Sequence, residues 1–327
     1  MSKNKIEKIG ILTSGGDAPG MNAAIRAVVR CASAAGIECY GIDDGYTGLI
    51  DGEVHKIDSR FVSDTVQKGG TILRTSRCPE FLEKEYRLKA YEVLQAYGIG
   101  GLVVIGGGGS LAGMSEFYKD FGVPCVGLPG TIDNDLAYTD FTLGFDTAVN
   151  TVISAINNIR DTMTAHNRAC IIEVMGRHCG DIALYAGISG GAEIILVPEI
   201  PFDIKEIAKT IKLDRIKGKK SVIIVLAEGV CSCVELKEKL LAEVDEIQIR
   251  TVKLGYIQRG GMPSMSDRVL AARCGARAIE LFMKGDCGGR AIGIKENKII
   301  DIDIEDALKC ESKFDTELYE IAKKLGK

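Results

Sequence analysis

The chain has 327 residues, 46% of them hydrophobic and 26% charged, a balance that excludes disorder as its main state and supplies material for about two domains. Its 41 basic and 45 acidic side chains leave a net charge of −4 and a pI of about 5.6. Without long Lys/Arg runs, that charge excludes general binding to nucleic acid or to an anionic membrane, so any anion must be held by local sites.

In chain order, the first element is Ile9 to Leu12. It is continuously apolar rather than alternating, as in a strand buried on both faces of a parallel sheet. The strand runs into Thr13-Ser14-Gly15-Gly16-Asp17-Ala18-Pro19-Gly20-Met21-Asn22, and a helix is expected over Met21 to Ala35. Glycine lets backbone approach a ligand and a helix start offers unpaired N–H groups, so this is a phosphate cradle by geometry. A tight strand-to-helix turn alone would explain one or two of the glycines, and neither GxxxxGK[ST] nor GxGxxG is present.

A second strand, Leu102 to Ile105, runs into Gly106-Gly107-Gly108-Gly109-Ser110 and another helix. Two such loops at carboxyl ends of parallel strands can face one crevice, with a nucleotide as the natural tenant. The strand Cys125 to Leu128 leads to Pro129-Gly130-Thr131-Ile132-Asp133-Asn134-Asp135. Extended chain would put Thr131, Asp133 and Asp135 on one side. Close carboxylates can hold Mg²⁺, and one can accept a proton from an attacking hydroxyl, while an Asx-rich surface turn is the plain alternative.

Helices are expected over Thr147 to Arg160, Ile204 to Ile216 and Asp267 to Lys284, and strands over Cys170 to Val174, Ile194 to Val197 and Val222 to Leu226. The class is therefore α/β, doubly wound. Arg168 stands just before the strand that runs into Met175-Gly176-Arg177-His178-Cys179-Gly180-Asp181. Arg250 is read as preceding a strand that carries Gly255-Tyr256-Ile257-Gln258-Arg259-Gly260-Gly261. Arginines beside strand-end glycines suit phosphate, because the guanidinium fork binds oxyanions bidentately.

The longest apolar stretches, Gly98 to Gly109 and Val222 to Ala227, fall short of the roughly 18 residues of a membrane span. Met1 to Lys8 has no signal-peptide core, so a cytoplasmic location is expected, with no membrane and no nucleic-acid partner. The 11 cysteines read as reduced, mostly buried thiols, since the tight pair Cys231 and Cys233 has no second pair at zinc-ribbon spacing. His55, His166 and His178 show no metal-ligand spacing.

Five ordered segments, Thr13 to Asn22, Arg77-Cys78-Pro79-Glu80, Gly130 to Asp135, Met175 to Asp181 and Gly255 to Gly261, resemble those of bacterial ATP-dependent 6-phosphofructokinases, and the similarity runs from Lys8 to Gly326. The resemblance implies two doubly wound, Rossmann-like parallel-sheet domains. An ATP-binding domain would cover 1–144 plus 258–308, and a fructose-6-phosphate-binding domain 145–257 plus 309–327. It implies a glycolytic kinase that phosphorylates fructose 6-phosphate, with ATP as co-substrate and Mg²⁺ as cofactor, in a homotetramer.

Carried over residue by residue, Asp133 matches the general base, and Thr131 and Arg177 the groups that steady the transferred phosphoryl. Gly16, Tyr46, Arg77, Cys78, Arg87, Gly109 and Ser110 match the ATP site, and Asp135 a carboxylate near the metal. Met175, Gly176, Glu228, Tyr256 and Arg259 match sugar-phosphate contacts, with Arg168 and Arg250 reaching in from a neighbouring subunit. Arg26, Arg30, Arg160, Glu193, Lys217, Gly218 and Lys219 match an effector site for ADP or phosphoenolpyruvate. Gly109 and Gly130 stand where pyrophosphate-dependent relatives carry Asp and Lys, which implies ATP as donor.

The chain departs from this pattern in three places. Gly108 stands where the family has a Mg²⁺-binding Asp, Tyr256 where it has a His, and Ser59-Arg60 where it has an Arg-Tyr pair. Two alternatives stay open beside the kinase. One is a catalytically impaired regulatory subunit that binds nucleotide and sugar phosphate, and the other is a kinase of another phosphosugar such as tagatose 6-phosphate.

Overall fold

The computed structural model describes residues 6–244, 247–285, 287–311 and 314–326. Met1–Lys5, on which the expected absence of a signal-peptide core rests in part, positions 245, 246, 312, 313 and 327 of the expected second domain and position 286 of the expected first lie outside them. The elements run β1 (Lys8–Ser14), α1 (Met21–Ala34), β2 (Glu38–Ile42), α2 (Gly45–Asp51), β3 (Val54–Ile57), α3 (Lys84–Tyr97), β4 (Gly101–Gly106), α4 (Gly108–Phe121), β5 (Cys125–Thr131) and β6 (Leu143–Gly144). There follow α5 (Phe145–His166), β7 (Ala169–Val174), α6 (Asp181–Ser189), β8 (Ile194–Leu196), α7 (Ile204–Ile216), β9 (Val222–Ala227), α8 (Cys233–Leu241) and β10 (Ile249–Lys253). The last are α9 (Met265–Met283), β11 (Gly289–Lys295), β12 (Lys298–Asp303), α10 (Ile304–Lys309) and α11 (Thr316–Leu325).

The described residues fall into two compact units, one within Met1–Ile132, Leu136–Thr147 and Arg259–Ser312, the other within Asp133–Asp135, Ala148–Gln258 and Lys313–Lys327. The first unit is built on an eight-stranded sheet in the order β12-β11-β5-β4-β1-β2-β3, with β6 beside β5. Only the last pairings at the two edges, β2 with β3 and β11 with β12, are antiparallel. All six residues of β4 are buried, as continuous hydrophobicity requires of a central parallel strand. Ser14 pairs with Gly106 and Gly106 with Pro129, so β1 and β4 end level, β5 runs two residues further, and their glycine loops leave the sheet at its carboxyl end. Helices α1 and α9 approach so closely that a Cβ on Gly275 would lie 2.6 Å from that of Ala27. Leu12, Tyr46, Phe81, Leu102, Leu111 and Phe117 anchor the core between sheet and helices, each contributing about 1.5–3 kcal/mol by burial.

The second unit has a four-stranded, wholly parallel sheet in the order β10-β7-β9-β8. Every residue of β7 and β9 is buried. Asp203 and Ser232 cap α7 and α8 by accepting from Lys205 N and Glu235 N. Among the described residues, no helix is long and apolar enough to cross a membrane.

Two expectations are corrected. The chain after Thr131 is not extended: β5 ends there and Asn134 sits at φ 56°, so alternation does not carry Thr131, Asp133 and Asp135 onto one strand face. Asn tolerates the left-handed region, and its amide is held by Asp181 at 2.8 Å. The Gly255-to-Gly261 segment is likewise no strand. Arg250 lies inside β10, Gly255 turns the chain at φ 54°, and Gly255–Gln258 forms a 3₁₀ turn.

Candidate functional site

In the first unit the loop after β1 is packed against the start of α4. Gly15 is left-handed at φ 90°, and a Cβ there would lie 3.3 Å from Ser110 Oγ. At Gly106 a Cβ would come within 2.6 Å of both Ser110 Oγ and the Ser14 carbonyl. A side chain at Gly106 would collide with Ser110 and the Ser14 carbonyl, so glycine there lets the two loops approach each other closely. Gly16 carries the Arg259 guanidinium above it, with Nη1 3.1 Å from where a Cβ would be. Arg259 also lies 3.9 Å from Asp17.

The segment bearing Arg77 and Cys78 is stitched to the same loop. Gly15 N donates to the Ser76 carbonyl at 3.2 Å and Thr75 Oγ1 to the Gly15 carbonyl at 3.0 Å. Arg77 is exposed, Cys78 half-buried and Gly109 exposed, whereas Ser110 is buried. Tyr46 and Arg87 are turned into the core. The Tyr46 hydroxyl donates to the Ser110 carbonyl at 2.7 Å and its ring stacks on Phe81, while Arg87 bonds Asp120 and the carbonyls of Phe81 and Leu82. Both brace the loops from behind rather than lining them. Gly108 opens α4, and a Cβ there would meet only Leu136 Cδ2 at 3.6 Å. Thr131 ends β5, and its carbonyl accepts from Thr142 Oγ1 at 2.7 Å.

In the second unit Asp133 is buried and Oδ2 lies 3.3 Å from Arg177 Nε. Arg177 follows Gly176, whose φ of 136° and 2.4 Å Cβ approach to the Cys179 carbonyl admit glycine alone. Its N–H donates to Glu228 Oε1 at 3.1 Å, joining the loops after β7 and β9. The Cys179 thiol is pushed up to about 12 by burial. Asp181 is raised above the ordinary carboxylate range, again by burial, against the lowering effect of the Asn134 amide. Met175 is half-buried, and Arg250 and Tyr256 are exposed, Asp135 likewise. Arg168 Nε bonds Gln248 Oε1 at 2.8 Å.

Of the effector set, the second unit gathers two cations around the buried carboxylate of a third residue, Glu193. Arg160 Nη1 lies 3.0 Å and Lys219 Nζ 3.1 Å from Glu193 Oε1. Lys217 and Gly218 are exposed beside them in sequence, and Arg26 and Arg30 belong to α1 of the first unit. Sequence reasoning missed Asn22, Gln258 and the Asn134–Asp181 contact. A buried carboxamide bonded to backbone has no spacing or composition signature, and only the fold reveals it.

The sequence model of the Phosphofructokinase family matches residues 8–282. The ATP-dependent 6-phosphofructokinase of Clostridium acetobutylicum is 56% identical over 322 residues, covering 98% of this chain and 100% of that one. That of Clostridioides difficile is 54% identical over 321 residues, covering 98% and 100%. Among solved structures, phosphofructokinase from Saccharomyces cerevisiae superposes with a TM-score of 0.91 at 32% identity, over 97% of this chain but only 50% of that chain, so the present chain spans half its length. A pyrophosphate-dependent phosphofructokinase from Marinobacter aquaeolei shares the fold, with a TM-score of 0.82 at 24% identity over 95% and 86% of the two chains. End-to-end identity above one half, together with a family match that takes in both glycine loops and the Asp133–Arg177 pair, shows that this chain belongs to the phosphofructokinase family.

Proposed function

We propose that the chain is an ATP-dependent 6-phosphofructokinase, transferring the γ-phosphoryl group of ATP to the 1-hydroxyl of fructose 6-phosphate in glycolysis. The observation that carries this reading is the 54–56% identity with ATP-dependent 6-phosphofructokinases over 98% of the chain. The geometry agrees with the chemistry. Phosphoryl transfer asks for positioning and charge neutralisation more than covalent catalysis.

In this reading the first unit is the ATP-binding domain. Gly16, Gly109 and Ser110 present backbone and hydroxyl to the phosphates, Arg77 and Cys78 flank the nucleotide, and Tyr46 and Arg87 support the cradle. The second unit is the sugar-phosphate domain, with Met175, Gly176, Glu228 and Tyr256 as contacts, and Arg259 is assigned to the same ligand by resemblance. Asp133 takes the proton of the attacking hydroxyl, and Arg177 and Thr131 stabilise the phosphoryl in flight. Arg168 and Arg250 act on a neighbouring subunit's substrate in a homotetramer. Arg160, Glu193, Lys217, Gly218 and Lys219, with Arg26 and Arg30 of a neighbour, receive an anionic effector such as ADP or phosphoenolpyruvate.

Support for ATP over pyrophosphate comes from Gly130. A Cβ there would lie 3.0–3.1 Å from Ile105, Met21 and the Gly106 nitrogen, so a lysine could not stand at this position without displacing its neighbours. Mg²⁺ commonly binds through one or two carboxylates plus substrate phosphates and waters. The described residues converge no group of three or more acidic, His or Cys side chains, and Asp135 is the exposed carboxylate available for that sparse mode. When bound, the ion neutralises phosphate charge. A coupled assay for ADP release with fructose 6-phosphate, ATP and Mg²⁺ tests the reading. Steady turnover is expected, and nucleotide binding without turnover would assign the chain to a regulatory role instead.

A further inference from the structure

Asn22, on the first turn of α1, is only 1% exposed. Its Nδ2 donates to the carbonyls of Lys68 at 3.2 Å and Gly69 at 3.0 Å, and its Oδ1 accepts from Ile72 N at 2.7 Å. The segment it holds, residues 58–78, contains no helix or strand. Stretches of that length without regular structure are uncommon in compact domains, and this one must be ordered by other bonds. Asp64, Gly70 and Arg74 are left-handed there, and Gly69 runs so close to the turn after Arg259 that a Cβ would lie 2.3 Å from the Gly261 carbonyl. Past Ile72, Thr13 Oγ1 donates to the Arg74 carbonyl at 2.6 Å, and Ser76 receives the N–H of Gly15. Asn22 thus sets where Arg77 and Cys78 meet the Gly15-Gly16 loop.

Gln258 is the counterpart in the second unit, with 0% exposure. Its Oε1 accepts from Met175 N at 3.1 Å and its Nε2 donates to the Gly255 carbonyl at 3.0 Å. It ties the exit of β7, where Met175 and Gly176 lie, to the 3₁₀ turn that presents Tyr256. Neither carboxamide has the surface to touch a ligand. A carboxamide holds an N–H and a C=O at once without a titrating charge, and its loss strands buried backbone groups unless the loop moves.

We infer that Asn22 and Gln258 are positioning residues, Asn22 for the nucleotide loops and Gln258 for the sugar-phosphate loops, each acting through the backbone it holds. The inference rests on the assignment of the two ligands made under Proposed function. Turnover by the parent enzyme tests that assignment separately, before any variant is compared.

With an active parent, KM for ATP and for fructose 6-phosphate are measured for Asn22→Ala and Gln258→Met, alongside equilibrium binding of each ligand alone. Asn22→Ala should raise the ATP constants by about 5- to 100-fold and leave the sugar-phosphate constants within about twofold. Gln258→Met should do the reverse. Asn22→Asp gives a second approach to the first loop, since it keeps the acceptor for Ile72 N and loses the donor to the Lys68 and Gly69 carbonyls, and it should raise the ATP constants alone. Gln258→Ala does the same service in the second unit should the Met variant misfold. Parallel rises in both constants, as general destabilisation would give, or no change in either, would overturn the inference while leaving the proposed activity standing.

Discussion

Arg177 Nε stands 3.3 Å from Asp133 Oδ2, with the carboxylate buried and the guanidinium half exposed. In the proposed reading the exposed side of Arg177 meets the phosphoryl group, so one residue would touch both the proposed base and the developing charge.

Asp133→Ser should therefore lower kcat by about 10²-fold or more while leaving equilibrium binding of fructose 6-phosphate largely intact. Steady-state kinetics with a parallel binding titration checks this. A variant with parental kcat would remove Asp133 from the base role.

Gly229 tests the placement of Arg177 from a distance. A Cβ on Gly229 would lie 2.1 Å from the Arg177 carbonyl, and Arg177 already sits at φ 54°. Left-handed backbone costs a non-glycine residue about 1–3 kcal/mol and persists only when its surroundings enforce it. Gly229→Ala should push the loop away and lower kcat by about tenfold or more with KM for ATP unchanged. Full activity in the alanine variant would show that the Arg177 loop tolerates displacement.

Much of this architecture is legible in the sequence because it depends on period and composition. The runs Ile9 to Leu12, Leu102 to Ile105 and Val222 to Leu226 all became buried parallel strands, and Gly15-Gly16 and Gly107-Gly108 fell at their exits. What was not legible depends on single dihedrals and on partners far along the chain. Asn134 at φ 56° ends the alternation that would have aligned Asp133 with Asp135, and no pattern in the sequence encodes that angle. Arg87 matches an ATP-site residue by resemblance, yet Asp120 and two carbonyls draw it into the core. The edge strands β3, β11 and β12 are antiparallel or half exposed, so they lack the unbroken apolar run that marks the centre.

Glu173 makes a pH-dependent contribution to stability. Burial raises its pKa, but the Lys253 ammonium at 2.7 Å and the Cys233 N–H at 2.8 Å outweigh that and hold it below its ordinary value of 4.5. A depressed carboxylate stabilises the fold above its unfolded pKa, and the stability is lost as pH falls through the folded value. Glu173→Gln should thus unfold at lower temperature than the parent at pH 7, by about 2–4 °C per kcal/mol lost. The gap should close as the pH falls below about 4.5. A difference in Tm that is the same at pH 7 and pH 4 would rule out the charge as its source.

Subunit sharing predicts complementation. If Arg250 serves a neighbour's substrate, Arg250→Ala chains retain an intact Asp133 and Asp133→Ser chains an intact Arg250. Mixed and reassembled, the two should form some sites with both groups, and part of the parental activity should return. Arg250→Ala alone should raise KM for fructose 6-phosphate by about 10- to 150-fold, the worth of one charge-assisted contact, with little effect on KM for ATP. Mixtures as inactive as their components would mean that each chain completes its own site.

Gly108 gives the sharpest test of how the enzyme manages charge. ATP and the transferring phosphoryl carry several negative charges, and a metal ion bridging them is best positioned when protein carboxylates hold its waters. Gly108 supplies none, although it opens α4 two residues past Gly106, where β1 and β4 end level. Space is not the obstacle, because a Cβ there meets only the Leu136 methyl at an ordinary 3.6 Å and φ is not left-handed. An added aspartate could hydrogen-bond a metal-bound water, a charge-assisted contact of about 1.5–3 kcal/mol, or roughly 10- to 150-fold in metal affinity or rate. Against this, a carboxylate at a helix start that already favours phosphate would compete with the nucleotide for the same N–H groups if no metal sat between them. The two effects have opposite signs. Titrating Mg²⁺ at saturating ATP and fructose 6-phosphate separates them. Gly108→Asp is expected to reach its maximal rate at lower Mg²⁺ and to exceed the parent, whereas a slower variant that needs as much Mg²⁺ would show that the parental loop is already complete without the charge.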